Sequence, residues 1–236
     1  LNLSGSAAVI PASVTLSSVE TISLRAAVDT GTIDADTNQF SDVVDFNVTQ
    51  GQAVDINADT QNLSVANTSG AIALDGGKNV VVETDGAGAI TIGNNTVSDG
   101  TVSVTEGDQG TDAINIDGGT DVTVNATSDD QAAITVGDTT DGSGTPGVGG
   151  NAEDLPSGAI NITQTLNDDA TSGFTGGDVT AEGGSSIDIT VDTNSDADSA
   201  GDDNNLVVGT LTATAGNATT EINVTQNASG TKKSQA

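Results

Sequence analysis

Cysteine, histidine, tryptophan, tyrosine and methionine are all missing from this chain of 236 residues. Without thiol or imidazole, thiolate and imidazole catalysis are excluded, as are the usual ligand sets for zinc, copper and haem. Aromatic rings are reduced to Phe40, Phe46 and Phe174. The chain therefore has almost nothing to lay against sugar rings in a glycan-binding or glycan-cleaving groove. Absent cysteines fix no compartment, because a large secreted repeat protein dispenses with disulfides when its stacked core is long enough. Basic residues are scarce as well: Arg25, Lys78, Lys232 and Lys233 face 34 acidic residues, for a formal charge of −30. Nucleic-acid binding needs clustered Lys and Arg against phosphate, and an anionic membrane surface makes the same demand. Both are excluded. No apolar run approaches the roughly 20 residues that span a bilayer. The chain opens on Leu1 without a basic and apolar signal segment, so it reads as a mature form or an excised fragment.

What the chain does have is a short apolar-polar-apolar unit that recurs from one end to the other. It runs through Val54-x-Ile56, Leu63-x-Val65, Ile72-x-Leu74, Val80-x-Val82, Ile90-x-Ile92, Val102-x-Val104, Ile114-x-Ile116, Val122-x-Val124 and Ile134-x-Val136. It resumes at Ile160-x-Ile162, Ile187-x-Ile189, Leu206-x-Val208 and Ile222-x-Val224. Alternation with period two sends one set of side chains to a core and the other to water. Gly, Asp, Asn, Ser and Thr, the residues of turns, lie between the units.

An internal repeat sharpens the picture. Ala71-Ile-Ala-Leu-Asp-Gly-Gly-Lys-Asn-Val-Val-Val82 matches Ala113-Ile-Asn-Ile-Asp-Gly-Gly-Thr-Asp-Val-Thr-Val124 at an offset of 42 residues. A unit of two coils, each of about 20 residues, accounts for that offset and belongs to solenoid architecture. The phrase apolar-Asn-apolar-Thr-Gln also recurs, as Phe46–Gln50, Ile160–Gln164 and Ile222–Gln226, at irregular spacing, so loop lengths vary between coils. The expected fold is all-β: a parallel β-solenoid (β-helix) of short strands with irregular loops. A β-sandwich is the alternative, but its strands are usually longer and its core carries an aromatic.

The expected organisation is a lead-in β segment over 1–50, with units at Val14-x-Leu16, Ile22-x-Leu24 and Phe46-x-Val48 and a possible role in contacts between subunits. A repeat solenoid over 51–137 follows, then a loop or hinge at 138–158, a second repeat block over 159–228 and a tail at 229–236. A second polar stretch, Asp192 to Asn205, separates the strand ending at Val191 from Leu206.

The Gly-Gly-x-x-Val-x-Val turns, the Val/Ile-Thr-Gln strand ends and the long Ala/Thr/Asp/Gly loops resemble the β-strand-repeat proteins of bacterial surface layers and giant adhesins. The Caulobacter-type calcium-dependent surface-layer protein belongs to that group. The resemblance is clearest over Ala159 to Ala228 and weaker over Ala53 to Gly137. It implies a secreted, extracellular coat or fibre on the cell surface, assembled from copies of one chain and cemented by calcium. The chain departs from the wider group in having no full Gly-Gly-x-Gly-x-Asp nonapeptide, the calcium-roll signature.

Asp outnumbers Glu by 28 to 6. A short carboxylate suits both a tight turn and a cation reached from a loop. Ca²⁺ takes six to eight oxygen ligands, and the candidate set is Asp192, Asp196, Asp198, Asp202 and Asp203, with Asp138 and Asp141 next and Asp129 with Asp130 after them. A solvated acidic loop is the plainer reading of the same residues. The Asp75-Gly76-Gly77 and Asp117-Gly118-Gly119 corners read as turns, because glycine supplies positive φ. Ten Asn-x-Ser/Thr triplets are acceptors for N-glycosylation where the machinery exists. Paired carboxylates can hydrolyse glycosides, but such sites add cationic or aromatic residues, so no catalytic residue is assigned and the chain does not read as an enzyme. The expected role is structural, with copies of itself as partner. The competing role is the stalk or ligand-binding segment of a large adhesin, whose partners include cell-surface polysaccharide.

Overall fold

The computed structural model describes the chain except residues 1, 4–6, 10–12, 15, 17, 27–31, 37–39, 41, 87, 131, 138–154, 169–174, 198–206 and 233–236. Two parallel sheets emerge. The strands are numbered in chain order, and odd and even ones separate completely. The larger sheet holds β1 (Asn2–Leu3), β3 (Thr21–Ala26), β5 (Asp45–Gln50), β7 (Asn62–Ala66), β9 (Val80–Thr84), β11 (Val102–Gln109), β13 (Val122–Ser128), β15 (Ala159–Asp168), β17 (Ser186–Ala197) and β19 (Glu221–Lys232). The smaller one holds β2 (Ala7–Val9), β4 (Thr32–Asp36), β6 (Ala53–Ala58), β8 (Ile72–Gly76), β10 (Ile90–Ile92), β12 (Ile114–Ile116), β14 (Ile134–Val136), β16 (Val179–Gly183) and β18 (Leu211–Ala215). The chain is a parallel β-solenoid in which each coil contributes one strand to each sheet. Ten strands at about 4.8 Å per step make a stack roughly 43 Å long. Among the described residues no helix is long and apolar enough to cross a membrane.

Register explains why the alternation recurs. Ile72, Ile90, Ile114 and Ile134 are direct partners in successive strands, so the 42-residue repeat spans two coils. Across the interior, Leu63, Val80, Val102, Val122, Ile160 and Ile187 form an equivalent column. All of these side chains are buried. Each contributes about 1.5–3 kcal/mol by leaving water, offset by the entropy of ordering the coil. Phe40 and Phe46 are fully buried and belong to the same core.

Corners need two devices. Gly76, Gly77, Gly118 and Gly119 have φ of 73°, 86°, 74° and 90°, the left-handed conformation that side chains resist, so both Asp-Gly-Gly corners are turns. Buried hydroxyls then satisfy the carbonyls that a turn leaves without a strand partner. Ser98 Oγ donates to the Gly76 carbonyl at 3.0 Å, and Ser128 Oγ donates to the Gln109 carbonyl at 2.6 Å.

Several sequence expectations change. Val14 and Leu16 lie outside any strand, with Leu16 exposed. Of the pair Leu206-x-Val208, Leu206 lies outside the described residues and Val208 is in no strand; Val207 makes an isolated bridge to Thr175, and the strand begins at Leu211 as β18. There Leu211 and Ala213 continue the columns of Val179 and Ala181. The strand expected to end at Val191 runs on to Ala197, pairing with Asn167 and Asp168 on one side and Asn227–Lys232 on the other. Backbone pairing needs no apolar side chain, so a polar stretch stays extended when both neighbours are extended too. β19 likewise continues through Ser229–Lys232. The long insertion after Val136 leaves the sheets continuous, since β13 pairs with β15 and β14 with β16.

Candidate functional site

The lateral faces carry the polar half of each strand. On the larger sheet the outward residues of β15, β17 and β19 line up as rows: Asn161, Asp188 and Asn223; Thr165, Asp192 and Asn227; Asn167, Asn194 and Ser229. Neighbours within a row stand about 4.8 Å apart, and successive outward positions along a strand about 6.6 Å apart. Side-chain amides bond along the rows, twice to a carboxylate and once to an asparagine oxygen. Asn223 Nδ2 donates to Asp188 Oδ1 at 2.8 Å, Asn227 Nδ2 to Asp192 Oδ1 at 2.8 Å, and Asn194 Nδ2 to Asn167 Oδ1 at 3.0 Å. Asp192, Asn194, Asn227 and Ser229 line a shallow groove of about 320 Å³.

Aspartates elsewhere clamp one coil to another. The Asp75 carboxylate accepts the Asn95 backbone N–H and its side-chain amide, both at 2.8 Å. Asp121 Oδ1 accepts the Ala159 N–H at 2.8 Å, and Asp178 Oδ1 accepts the Thr210 N–H at 2.6 Å. A carboxylate on one methylene reaches a backbone donor one coil away without spanning a gap, which accounts for Asp over Glu at these positions.

Of the residues expected to hold calcium, Asp192 is described in full: half-buried on β17, with Asn227 bonded to one oxygen. Asp196 lies on the same strand, its backbone paired with Thr231. Four residues of extended chain put the Asp192 and Asp196 Cα atoms about 13 Å apart. Asp198, Asp202, Asp203, Asp138 and Asp141 lie outside the described residues. Asp130 sits in a hydrogen-bonded turn, its N–H donating to Ser128 Oγ at 3.1 Å and its carbonyl accepting from that hydroxyl at 2.8 Å. Among the described residues no three carboxylates converge. The groove's donors are all oxygens of the kind Ca²⁺ takes, with Asp192 the one carboxylate among them.

Sequence reasoning missed the amide partners. Asn194, Asn223 and Asn227 read as glycosylation triplets or plain polar filler, yet their register beside an aspartate or asparagine one coil away decides their bonding. For Asn62, Asn223 and Asn227 the triplet's own amide nitrogen is engaged in these ladders. Asn217, by contrast, sits exposed on the turn between β18 and β19. No family model, curated protein or solved structure matches the chain.

Proposed function

We propose that this chain is a structural segment of a secreted cell-surface layer, sheath or fibre, which self-assembles through its β-repeat coils with calcium bound at Asp-rich sites. The observation that carries this reading is the continuous parallel pairing of strands in both sheets along the described stack. Such a stack has a largely aliphatic interior, and its output is length and a regular lateral surface. The polar rows of β15, β17 and β19 present hydroxyl, amide and carboxylate groups at a fixed spacing, which suits repeated contacts between identical subunits. Asp192, set in the groove between β17 and β19, is the described carboxylate best placed to share a cation with a neighbour.

Cryo-electron microscopy of the native material tests the proposal. An ordered lattice or filament containing this chain is the expected result. Discrete monomers at every calcium and salt concentration would overturn it. A distal globular domain carried by the same molecule, with the coils as an isolated stalk, would replace the coat with an adhesin.

A further inference from the structure

We infer that a variable, partly polar column inside one corner of the solenoid fixes the order of the coils. Its buried polar side chains are positioning residues, through which each coil pairs only with its own neighbours. This holds whatever the stack is used for.

The apolar columns cannot set that order. Over β9, β11 and β13 the first two inward positions are Val80 and Val82, Val102 and Val104, then Val122 and Val124. Over β10, β12 and β14 they are Ile90 and Ile92, Ile114 and Ile116, then Ile134 and Val136. If β13 lay against β9, with the β11–β12 coil expelled, valine would still meet valine throughout. Ladder hydrogen bonds carry no residue identity either. Something else in the interior must tell the coils apart.

The next two inward positions of the larger sheet do so. The third column reads Thr84, Glu106, Ala126, Gln164 and Val191, and the fourth Gln109, Ser128, Leu166 and Thr193. No two residues within a column are alike, and none is more than 8% exposed. Size varies with polarity, since the small Ala126 lies between the longer Glu106 and Gln164.

Each polar member is also bonded to the backbone of an adjacent coil. Thr84 Oγ1 donates to the Thr68 carbonyl at 2.5 Å, Ser128 Oγ to the Gln109 carbonyl at 2.6 Å and Thr193 Oγ1 to the Asn227 carbonyl at 3.2 Å. Gln109 Nε2 donates to the Ala133 carbonyl at 3.4 Å and Gln164 Nε2 to the Ala132 carbonyl at 3.2 Å, so two glutamines address one corner from the coils on either side. Glu106 Oε1 accepts the Gly86 N–H at 2.7 Å and the Asp108 N–H at 3.0 Å. Glu106 is the strictest of these positions. Residues 79–231 contain no Lys or Arg, so a coil paired with the wrong neighbour would bury this carboxylate without the Gly86 donor and with no cation in that span to replace it. Such a loss shifts a pairing equilibrium at least about tenfold.

Disulfide trapping reads coil order directly, and the chain has no cysteine of its own. Glu83, Thr105 and Asn125 are exposed register partners on β9, β11 and β13. Thr105→Cys with Asn125→Cys places the thiols one step of about 4.8 Å apart, inside the Cα separation of about 4.4–6.8 Å that a disulfide spans. Glu83→Cys with Asn125→Cys places them two steps apart, about 9.6 Å, so that pair links only when the β11–β12 coil is skipped. Refolding from urea at low concentration in a thiol–disulfide buffer should link the first pair and not the second. Thr84→Val, Glu106→Val and Gln164→Val together make the third column aliphatic throughout, and the intramolecular link between positions 83 and 125 should then rise at least about tenfold. Glu106→Val alone should raise it in the same direction, and it carries the test if the triple variant does not fold. A link that stays at the parental level in these variants, whatever happens to their urea midpoint, overturns the inference: the column would then add stability without ordering the coils. A parent chain that already links positions 83 and 125 overturns it as well.

Discussion

The Asn62 side-chain amide donates to the Asp45 carboxylate at 2.9 Å, across a sequence separation of 17 residues and one coil of the stack. Asn79 repeats the contact, donating to Asn62 Oδ1 at 3.0 Å, and its own Oδ1 accepts both the N–H and the hydroxyl of Thr101 at 3.1 Å. Four successive coils are thus joined by side chains that stand immediately before or at the start of a strand, outside the apolar columns. Asn62 and Asn79 each donate and accept, so removing either leaves two neighbours short.

The ladder predicts that Asn79→Ala costs more than a surface substitution. It deletes a donor to Asn62 and an acceptor for two groups of Thr101, at a half-buried position. The expected loss is about 1–3 kcal/mol in urea unfolding. Asn79→Asp keeps the acceptor and loses the donor, so it should fall between the two. A loss for Asn79→Ala below about 0.5 kcal/mol, the range of an ordinary surface change, would show that the ladder contributes nothing beyond its backbone.

The interior columns predict a larger and more local effect. Ile114 lies between Ile90 and Ile134 and is 1% exposed. Ile114→Ala removes methyl groups from a layer that neighbouring coils hold apart, so the cavity collapses poorly. The expected cost is about 2–5 kcal/mol, with Asn115→Thr on the outward face as the control near zero. Chemical denaturation reads both. A one-dimensional stack also predicts that the loss spreads to adjoining coils first, which hydrogen exchange at β10, β12 and β14 would resolve.

Much of this architecture could be read from residue order, for a physical reason. In a parallel stack each strand's environment is another copy of itself, so the period-two signal is reinforced coil after coil, as at Ile90, Ile114 and Ile134. Legibility failed where the inward position is small or the strand outlasts the core. Ala181 and Ala213 fill interior sites of β16 and β18 but look like loop residues in a chain rich in alanine. Asp192 to Ala197 look like loop and are strand, because their extended form is imposed by β15 and β19 and not by their own side chains. The ladders were invisible for a related reason: Asn62 and Asp45 meet through register, and loop lengths that vary between coils hide that register from the sequence. The Asp-rich cluster was legible as composition alone, since which carboxylates approach one another depends on the path of the chain after Ala197.

The corner glycines predict a backbone penalty that no side-chain repacking relieves. Gly76 has φ of 73°, and a Cβ there would meet the carbonyl of Ala58 in the preceding coil. Gly76→Ala therefore combines about 1–2 kcal/mol of left-handed strain with a contact that forces the two coils apart. Gly110, whose added Cβ meets nothing within 4 Å, is the matched control. Thermal melts should separate the two variants clearly, and equal melting temperatures would mean that the corner relaxes at no cost.

Calcium and charge together give the last prediction. With 32 acidic residues concentrated in the central coils, lateral packing of these segments brings like charges within a Debye length, about 8 Å at physiological salt, and opposes assembly. A divalent ion shared between Asp-rich segments removes that repulsion and holds their geometry, whereas monovalent salt screens it without fixing anything. Chelator titrated at constant high ionic strength should therefore loosen the assembly and lower its melting temperature. Asp192→Asn sharpens the test, because an asparagine oxygen can still accept the Asn227 amide that Asp192 Oδ1 accepts at 2.8 Å. The ladder bond survives while one charged ligand is lost. The expected variant folds with unchanged monomer stability but needs more calcium to assemble. If stripping calcium changes neither the assembly nor its melting temperature, and Asp192→Asn behaves as the parent chain does, monovalent screening suffices and calcium has no structural part.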